Sequence, residues 1–446
     1  MTHPCAPLQA TFLAILLAAP LAAAPWPQFR GPAGDGISTA EDVPVAFSES
    51  EGVKWKTELP GRGWSSPVFD GATLWMTTAV EVFPDEEERL RLLREAGEDE
   101  KTFKARQLAT RIELGVVGVD YETGAVVASV DLDAIDQPQT IHALNSFASP
   151  TPVLEGSALY CHFGAFGTFA VDTTAKKILW RTRIDLEHGV GPGSSPVIHD
   201  GKLVLVCDGV DRQFVTALDL GDGKPVWITE RPEMRTPTGD QKKSYNTPLA
   251  IRDKRGREQL VCMGAQWLVS YDPANGEEIW RLDHGDGFSV VPRPVYHEGA
   301  GLLFVCTGYG KPDLLAIRPD GDGDITGSDK VAWKESRRIA TRPSPILVGD
   351  EIYVLADGGV ASCLDVRTGT LHWTERIDGN YSASPLFADG HLYFASQEGL
   401  VTVLKPARTF EVVARNQLDG TIMASPLALD GSLVIRSGEA LYRFSY

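Results

Sequence analysis

The chain has 446 residues, 43% of them hydrophobic, with 44 glycines and 29 prolines scattered along it rather than clustered. That composition supports a large core built from many short strands and turns. A formal net charge of −18 argues against a nucleic-acid binder, which needs a cationic surface to displace counterions.

Residues 1–24 hold no Asp, Glu, Lys or Arg. The apolar run Leu13–Ala19, followed by small residues, reads as a secretory leader with Ala22-x-Ala24 as its cleavage match. Pro25 and an uncharged start depart from that pattern. A leader implies a periplasmic or secreted protein, and no other stretch is long enough to span a bilayer. Residues 25–52 are expected to form an N-terminal extension and 53–446 the folded body.

Within the body one unit recurs. It opens on small polar residues and Pro, runs through two apolar segments, reaches a turn of the Asp-x-x-Thr-Gly kind and closes on a strand with Trp. The openings are Ser65-Ser66-Pro67, Pro150-Thr151-Pro152, Ser194-Ser195-Pro196, Asn246-Thr247-Pro248, Pro292-Arg293-Pro294, Pro343-Ser344-Pro345, Ala383-Ser384-Pro385 and Ala424-Ser425-Pro426. From the second onward their last prolines lie 44, 52, 46, 51, 40 and 41 residues apart. Such a period, with four short strands per unit, predicts an all-β fold, an eight-bladed β-propeller of four-stranded antiparallel blades.

The last unit runs out after three strands, near Phe444. Val53–Leu59 matches the missing closing strand, so the N-terminal strand should complete the last blade and remove its free edge. The first unit is longer because of an insertion over residues 81–111, where Asp85–Ala96 reads as a helix that Gly97 ends. Trp180, Trp227, Trp280, Trp333 and Trp373 occupy equivalent closing strands and are read as packing between blades.

Cys161, Cys207, Cys262 and Cys306 fall in the second strand of successive units. Equivalent positions in different blades are too far apart for a disulfide, so all four should be free and buried. Asp320-Gly321-Asp322-Gly323-Asp324 resembles a calcium loop, but Ile325 and Val331 stand where an EF-hand needs Gly and Glu. Neither a Gly-x-Ser-x-Gly elbow nor histidines at metal-ligand spacing occur, so no catalytic residue and no metal is assigned.

In such blades the loop leading into the first strand and the loop between the second and third share one face, here called the mouth face. The long segments, 81–111, 132–147 and 231–245, all fall there, where function is expected. The leading loops also bring Arg62, Trp64, Asn145, His188, Tyr245, Arg293, Arg342 and Tyr381. The loops between second and third strands bring His162, Asp208, Arg212, Tyr309, Asp357 and Gln397. From these, Asn145, His162, His188, Asp208, Arg212, Tyr245, Arg293, Tyr309, Arg342, Asp357, Tyr381 and Gln397 form the candidate binding set. Arginine suits carboxylate or phosphate, so the expected partner is a protein or a small polar or anionic ligand.

Trp26–Pro32, Asn145–Pro152, His162–Gly167, Cys207–Phe214 and Gly287–Pro294 carry a family resemblance. They resemble bacterial pyrroloquinoline-quinone (PQQ)-like propeller-repeat proteins, and the repeat is similar to that of the outer-membrane assembly lipoprotein BamB and of quinoprotein alcohol dehydrogenases. The latter imply PQQ, a calcium ion, an Asp base and an adjacent-cysteine disulfide. This sequence has neither adjacent cysteines nor a haem motif, so no cofactor is expected. The reading is a monomeric, non-catalytic extracytoplasmic binding or scaffold propeller. The alternatives are a PQQ-dependent oxidoreductase with an atypical site, and a carbohydrate-binding propeller, for which Trp64, Tyr245, Phe288 and Tyr381 supply aromatic platforms.

Overall fold

The computed structural model describes residues 24–446. All but the last residue of the expected leader lies outside them, as does Cys5. Eight antiparallel sheets follow one another as blades 1 to 8, over residues 68–136, 153–182, 197–230, 249–283, 295–335, 346–376, 386–417 and 427–445. Each has strands A to D from the axis outward. Blade 8 supplies only three of its own, and Val53–Glu58 pairs antiparallel with Ala440–Ser445 as its fourth, Trp55 opposite Arg443 and Glu58 opposite Ala440. Closure of the ring by the N-terminal strand is thus as the repeat predicts. Among the described residues no helix is long and apolar enough to cross a membrane.

Burial explains the strand patterns. Strand B of blade 3, Lys202–Asp208, is buried on both faces after its first residue, because blades flank it on each side. Strand D of the same blade, Pro225–Glu230, is mostly exposed apart from Trp227. The closing-strand tryptophans join neighbours. Nε1 donates to a carbonyl in the next blade's C–D turn from Trp55 to Tyr121 (2.9 Å), Trp180 to Leu220 (2.8 Å), Trp333 to Val366 (2.9 Å) and Trp373 to Ala407 (2.9 Å). At Gly124, with φ of +73°, a Cβ would stand 2.7 Å from the Trp55 ring, so the turn glycine permits both the turn and the indole's approach. Trp280 is the exception: it donates to Gln259, and Gly323–Asp324 adds a short parallel strand to blade 4. The Asp-rich turn is therefore part of a blade junction, with Asp322 held by Arg257 at 2.5 Å and Asp320 by Lys330 at 2.8 Å.

The insertion carries a helix, Glu86–Glu95, whose N-cap Asp85 accepts from Glu88 N. A short turn of 3-10 helix, Glu100–Ala105, follows, and Arg106–Gln107 then pairs with Ile141–His142. Leu93, Phe103 and Leu108 give it a small core of its own. This arm therefore leans over the approach to blade 2 on the mouth face.

The segment before Val53 has a definite place. Trp26 bridges Phe69 in blade 1, Pro27 O accepts from Leu154 N in blade 2, and Gly36 O accepts from Phe387 N in blade 7. Arg293 of blade 5 donates from Nη1 to Phe29 O at 2.9 Å. Arg30 donates from Nη2 to Pro345 O of blade 6 at 2.9 Å. Ser38 Oγ donates to Ala428 O of blade 8 at 2.8 Å. Residues 26–38 thus cork the channel from the side opposite the mouth, held by six of the eight blades. Farther along, Phe47 packs on Phe444 with ring centroids 4.4 Å apart.

Candidate functional site: a blind cup on the mouth face

The residue before the last proline of each opening sits where strand A begins, and its hydroxyl meets the next blade. Ser66 N donates to Thr151 Oγ1 (2.9 Å), Thr151 N to Ser195 Oγ (3.0 Å) and Ser195 N to Thr247 Oγ1 (3.2 Å). Arg293 N donates to Ser344 Oγ (3.0 Å), Ser344 N to Ser384 Oγ (3.0 Å), Ser384 N to Ser425 Oγ (2.9 Å) and Ser425 N to Ser66 Oγ (3.0 Å). A belt of amide-to-hydroxyl bonds therefore runs round the axis and closes between the last blade and the first. The missing link is from Thr247 to blade 5, where Arg293 stands instead of a hydroxyl residue. Its guanidinium turns to Phe29 O and Pro248 O.

Above the belt opens a cavity of about 710 Å³. All seven belt hydroxyl residues line it, with Phe29 of the cork and the aromatic residues Trp64, Tyr245, Phe288 and Tyr309. The first four of these five aromatics are half-buried and Tyr309 is exposed, so none is wholly sealed in the core. Thr102, Ala105 and Arg106 of the insertion complete one wall. The cations of the wall have carboxylate partners. Arg342 Nε meets Asp357 Oδ2 at 2.7 Å, Lys243 meets Asp240 at 2.5 Å and Arg106 meets Glu98 at 3.0 Å. Burial draws the Lys243 ammonium down, while Asp240 opposes it.

The residues picked from sequence divide into three groups. Asn145, Tyr245, Tyr309 and Arg342 line the cup, with Asp357 holding Arg342 from behind. Asn145 is also a latch, its Nδ2 donating to Val190 O and Pro192 O at 2.9 and 3.0 Å. His162, His188 and Asp208 gather beside it around a smaller cleft that Tyr245 shares. His162 Nδ1 lies 2.8 Å from Thr168 Oγ1, and His188 Nε2 accepts from Ala165 N at 2.6 Å. Burial pushes His162 down to about 4 and His188 to about 3, so both stay neutral near neutral pH. Asp208 receives two bonds from Arg231, at 3.1 and 3.0 Å, in a fully buried pair. Burial pushes its carboxyl up and the guanidinium opposes the shift.

The remaining four lie away from the cup lining. Arg293 is 2% exposed and anchors the cork. Tyr381 is fully buried, its hydroxyl donating to Asp378 O at 2.7 Å. Gln397 bonds Ser382 at 2.8 Å, and Arg212 is exposed, paired with Glu230 and stacked 4.3 Å over Phe214. Sequence reasoning left out Phe29, His142, Lys243 and the belt itself. The signal for the belt was present: Ser or Thr precedes that proline in seven openings and Arg in the eighth.

Eight sheets around one axis with this repeat define a propeller of the PQQ-repeat class. More narrowly, the chain belongs to the family described as outer membrane protein assembly factor BamB, whose sequence profile matches residues 113–324 and 264–445. It is similar to a 1-butanol dehydrogenase (quinone) of Thauera butanivorans, 25% identical over 52% of this chain and 36% of that one. It is also similar to BamB of Xanthomonas campestris pv. campestris, 24% identical over 48% and 49%. The chain thus spans between about a third and a half of the length of these curated relatives. Among solved structures, a europium-containing methanol dehydrogenase aligns with TM-score 0.64 and 10% identity, over 95% of this chain and 98% of that one. BamB from Moraxella catarrhalis aligns with TM-score 0.54 and 13% identity, over 76% and 96%. These structural likenesses are likenesses of fold.

PQQ, the cofactor the resemblance implies, is an anionic carboxylated quinone. The cup residues do not fit it: each wall cation is already matched by a carboxylate, and the five described cysteines are buried in five different blades. No step is derived through that group.

Proposed function

We propose that this protein is a non-catalytic extracytoplasmic binding propeller that acts as a scaffold by holding a ligand, or a protruding segment of a protein partner, in the mouth-face cup. The observation that supports this most is the blind cup itself. Its floor is polar and closed by the cork, its walls are aromatic, and its charges are mutually compensated, which suits recognition rather than proton transfer. Family membership in the BamB group supports a protein-interaction role, and the expected leader over residues 1–24 supports export. The protein acts as a monomer in this reading.

The test is capture of co-purifying species from the envelope or medium of the producing cell, read by native mass spectrometry. Wild-type protein is compared with the Phe288→Ala, Tyr309→Ala double variant, which removes two wall aromatics and leaves the belt intact. The species retained by the wild type should be lost from the variant. Equal retention by both would reject the cup as the binding site.

A further inference from the structure

The floor of the cup has a chemistry that narrows its ligand, given that the cup is the binding site as proposed above. A Ser or Thr hydroxyl offers one donor and two acceptor lone pairs. In the belt the neighbouring blade's amide takes one lone pair of Ser66, Thr151, Ser195, Thr247, Ser344, Ser384 and Ser425. Ser384 also donates to Ser344 at 3.0 Å. Elsewhere in the belt an O–H and a second lone pair remain for a ligand. An amide donating to a hydroxyl oxygen polarises its O–H and strengthens it as a donor.

These groups run round the axis from blade to blade rather than as a line along a groove, and Phe29 of the cork lines the same cup. The best complement is a compact ring with hydroxyls on its perimeter and C–H groups on its faces. A carboxylate or phosphate is a poorer match, because it is acceptor-only and leaves the belt's lone pairs unmet. It would also need an uncompensated cation, whereas Arg342, Lys243 and Arg106 are engaged by Asp357, Asp240 and Glu98. Above the floor, Trp64, Phe288 and Tyr309 present partly exposed rings, the last two with centroids 6.4 Å apart. Trp64 is itself fixed by Nε1 donating to Leu144 O at 3.1 Å. Rings fixed in this way offer apolar surface to the C–H face of a second sugar unit at little entropic cost.

We infer that the cup binds the end of a neutral oligosaccharide, one pyranose seated within the hydroxyl belt and the following units against the wall aromatics Trp64, Phe288 and Tyr309. The arrangement makes the ligand a neutral glycan rather than a peptide or an acidic sugar.

The experiment titrates full-length mature protein with cellohexaose, maltohexaose, xylohexaose, mannohexaose and chitohexaose, followed by tryptophan fluorescence and calorimetry. Oligogalacturonate and a random peptide pool serve as the competing classes. At least one neutral hexasaccharide should bind, and Tyr309→Ala and Trp64→Ala should each weaken it by about tenfold or more, with thermal unfolding little changed for the exposed Tyr309. Ser66→Ala with Ser425→Ala should remove floor contacts, since these hydroxyls each keep a free O–H. If that pair unfolds, Tyr309→Ala still decides the matter. Three results overturn the inference: no neutral hexasaccharide binding at millimolar concentration, binding indifferent to Trp64 and Tyr309, or tighter binding of the galacturonate or peptides. If one of these three results is found while envelope species are still retained by wild type and lost from the Phe288, Tyr309 variant, the glycan class has failed and the cup has not.

Discussion

The perimeter of the ring and its axis both join neighbouring blades, with different residues and different regularity. On the perimeter a tryptophan donates to a turn carbonyl, and a glycine makes room for the indole, as in Trp55 with Tyr121 and Gly124. At the axis a hydroxyl accepts from an amide, and the pattern breaks at Arg293, where the cork is tied. The perimeter breaks as well, at Trp280, whose N–H stays within its own blade, and in blades 1 and 7, whose closing strands Val126–Asp136 and Val412–Gln417 carry no Trp. The axis departs from the repeat where the channel is closed and the cup begins. Repeat and departure thus point to different parts of the candidate site: the repeated hydroxyls floor the cup, and the departure at Arg293 ties the cork beneath it.

The largest expected effect comes from breaking the perimeter at its closure. Deleting residues through Leu59 removes both cork and closing strand, leaving Ala440–Ser445 as an open edge. The truncated protein should aggregate or lose cooperative unfolding in chromatography and denaturant melts. A monodisperse truncation of unchanged stability would contradict the ring closure.

Next in size is the buried pair beside the cup. Asp208→Ala leaves Arg231 as an uncompensated buried cation and should cost about 3–5 kcal/mol in denaturant unfolding. A loss as small as that of a surface pair would show that the side chain relaxes to solvent.

The two buried histidines give a pH signature. Their native values, about 4 for His162 and about 3 for His188, lie below the ordinary 6.5. In that window the unfolded chain binds more protons than the native one. Stability should therefore be fully present above pH 6.5 and fall as pH drops toward 4. His188→Gln should flatten that slope in melts across the range. An unchanged slope would place the acid sensitivity elsewhere.

The smallest effect tests the perimeter bond alone. Trp373→Phe keeps most of the ring but removes the N–H that donates to Ala407 O, and should cost about 1 kcal/mol plus a little packing. Trp280→Phe, whose N–H serves Gln259 within its own blade, should by contrast loosen blade 4 internally rather than its seam with blade 5.

The fold was legible in the sequence because a propeller writes the same instructions repeatedly. Pro-bounded openings, Asp-x-x-Thr-Gly turns and closing tryptophans gave the blades, the helix at Asp85 and the strand exchange at Val53. The site was legible in part. Asn145, Tyr245, Tyr309 and Arg342 could be placed on the face where the cup opens, because loop length and blade topology fix which face a loop is on. Side-chain direction is not fixed in that way. Tyr381 and Arg293 share the leading loops with Arg342, yet Tyr381 turns into the core and Arg293 down to Phe29. The cork was the hardest part to foresee. The segment from Trp26 to Ser38 carries no repeat, and its partners lie up to 390 residues away, as with Ser38 and Ala428.

The central claim, a mouth-face cup closed by the N-terminal cork, is tested most directly by hydrogen–deuterium exchange of the protein with and without the ligand or partner it retains. Exchange should slow in the loops around Asn145, Gly193, Tyr245 and Phe288 and stay unchanged in the turns at Asp320–Asp324 and Thr368–Gly369. Protection confined to those opposite turns, with the mouth loops unaffected, would contradict it.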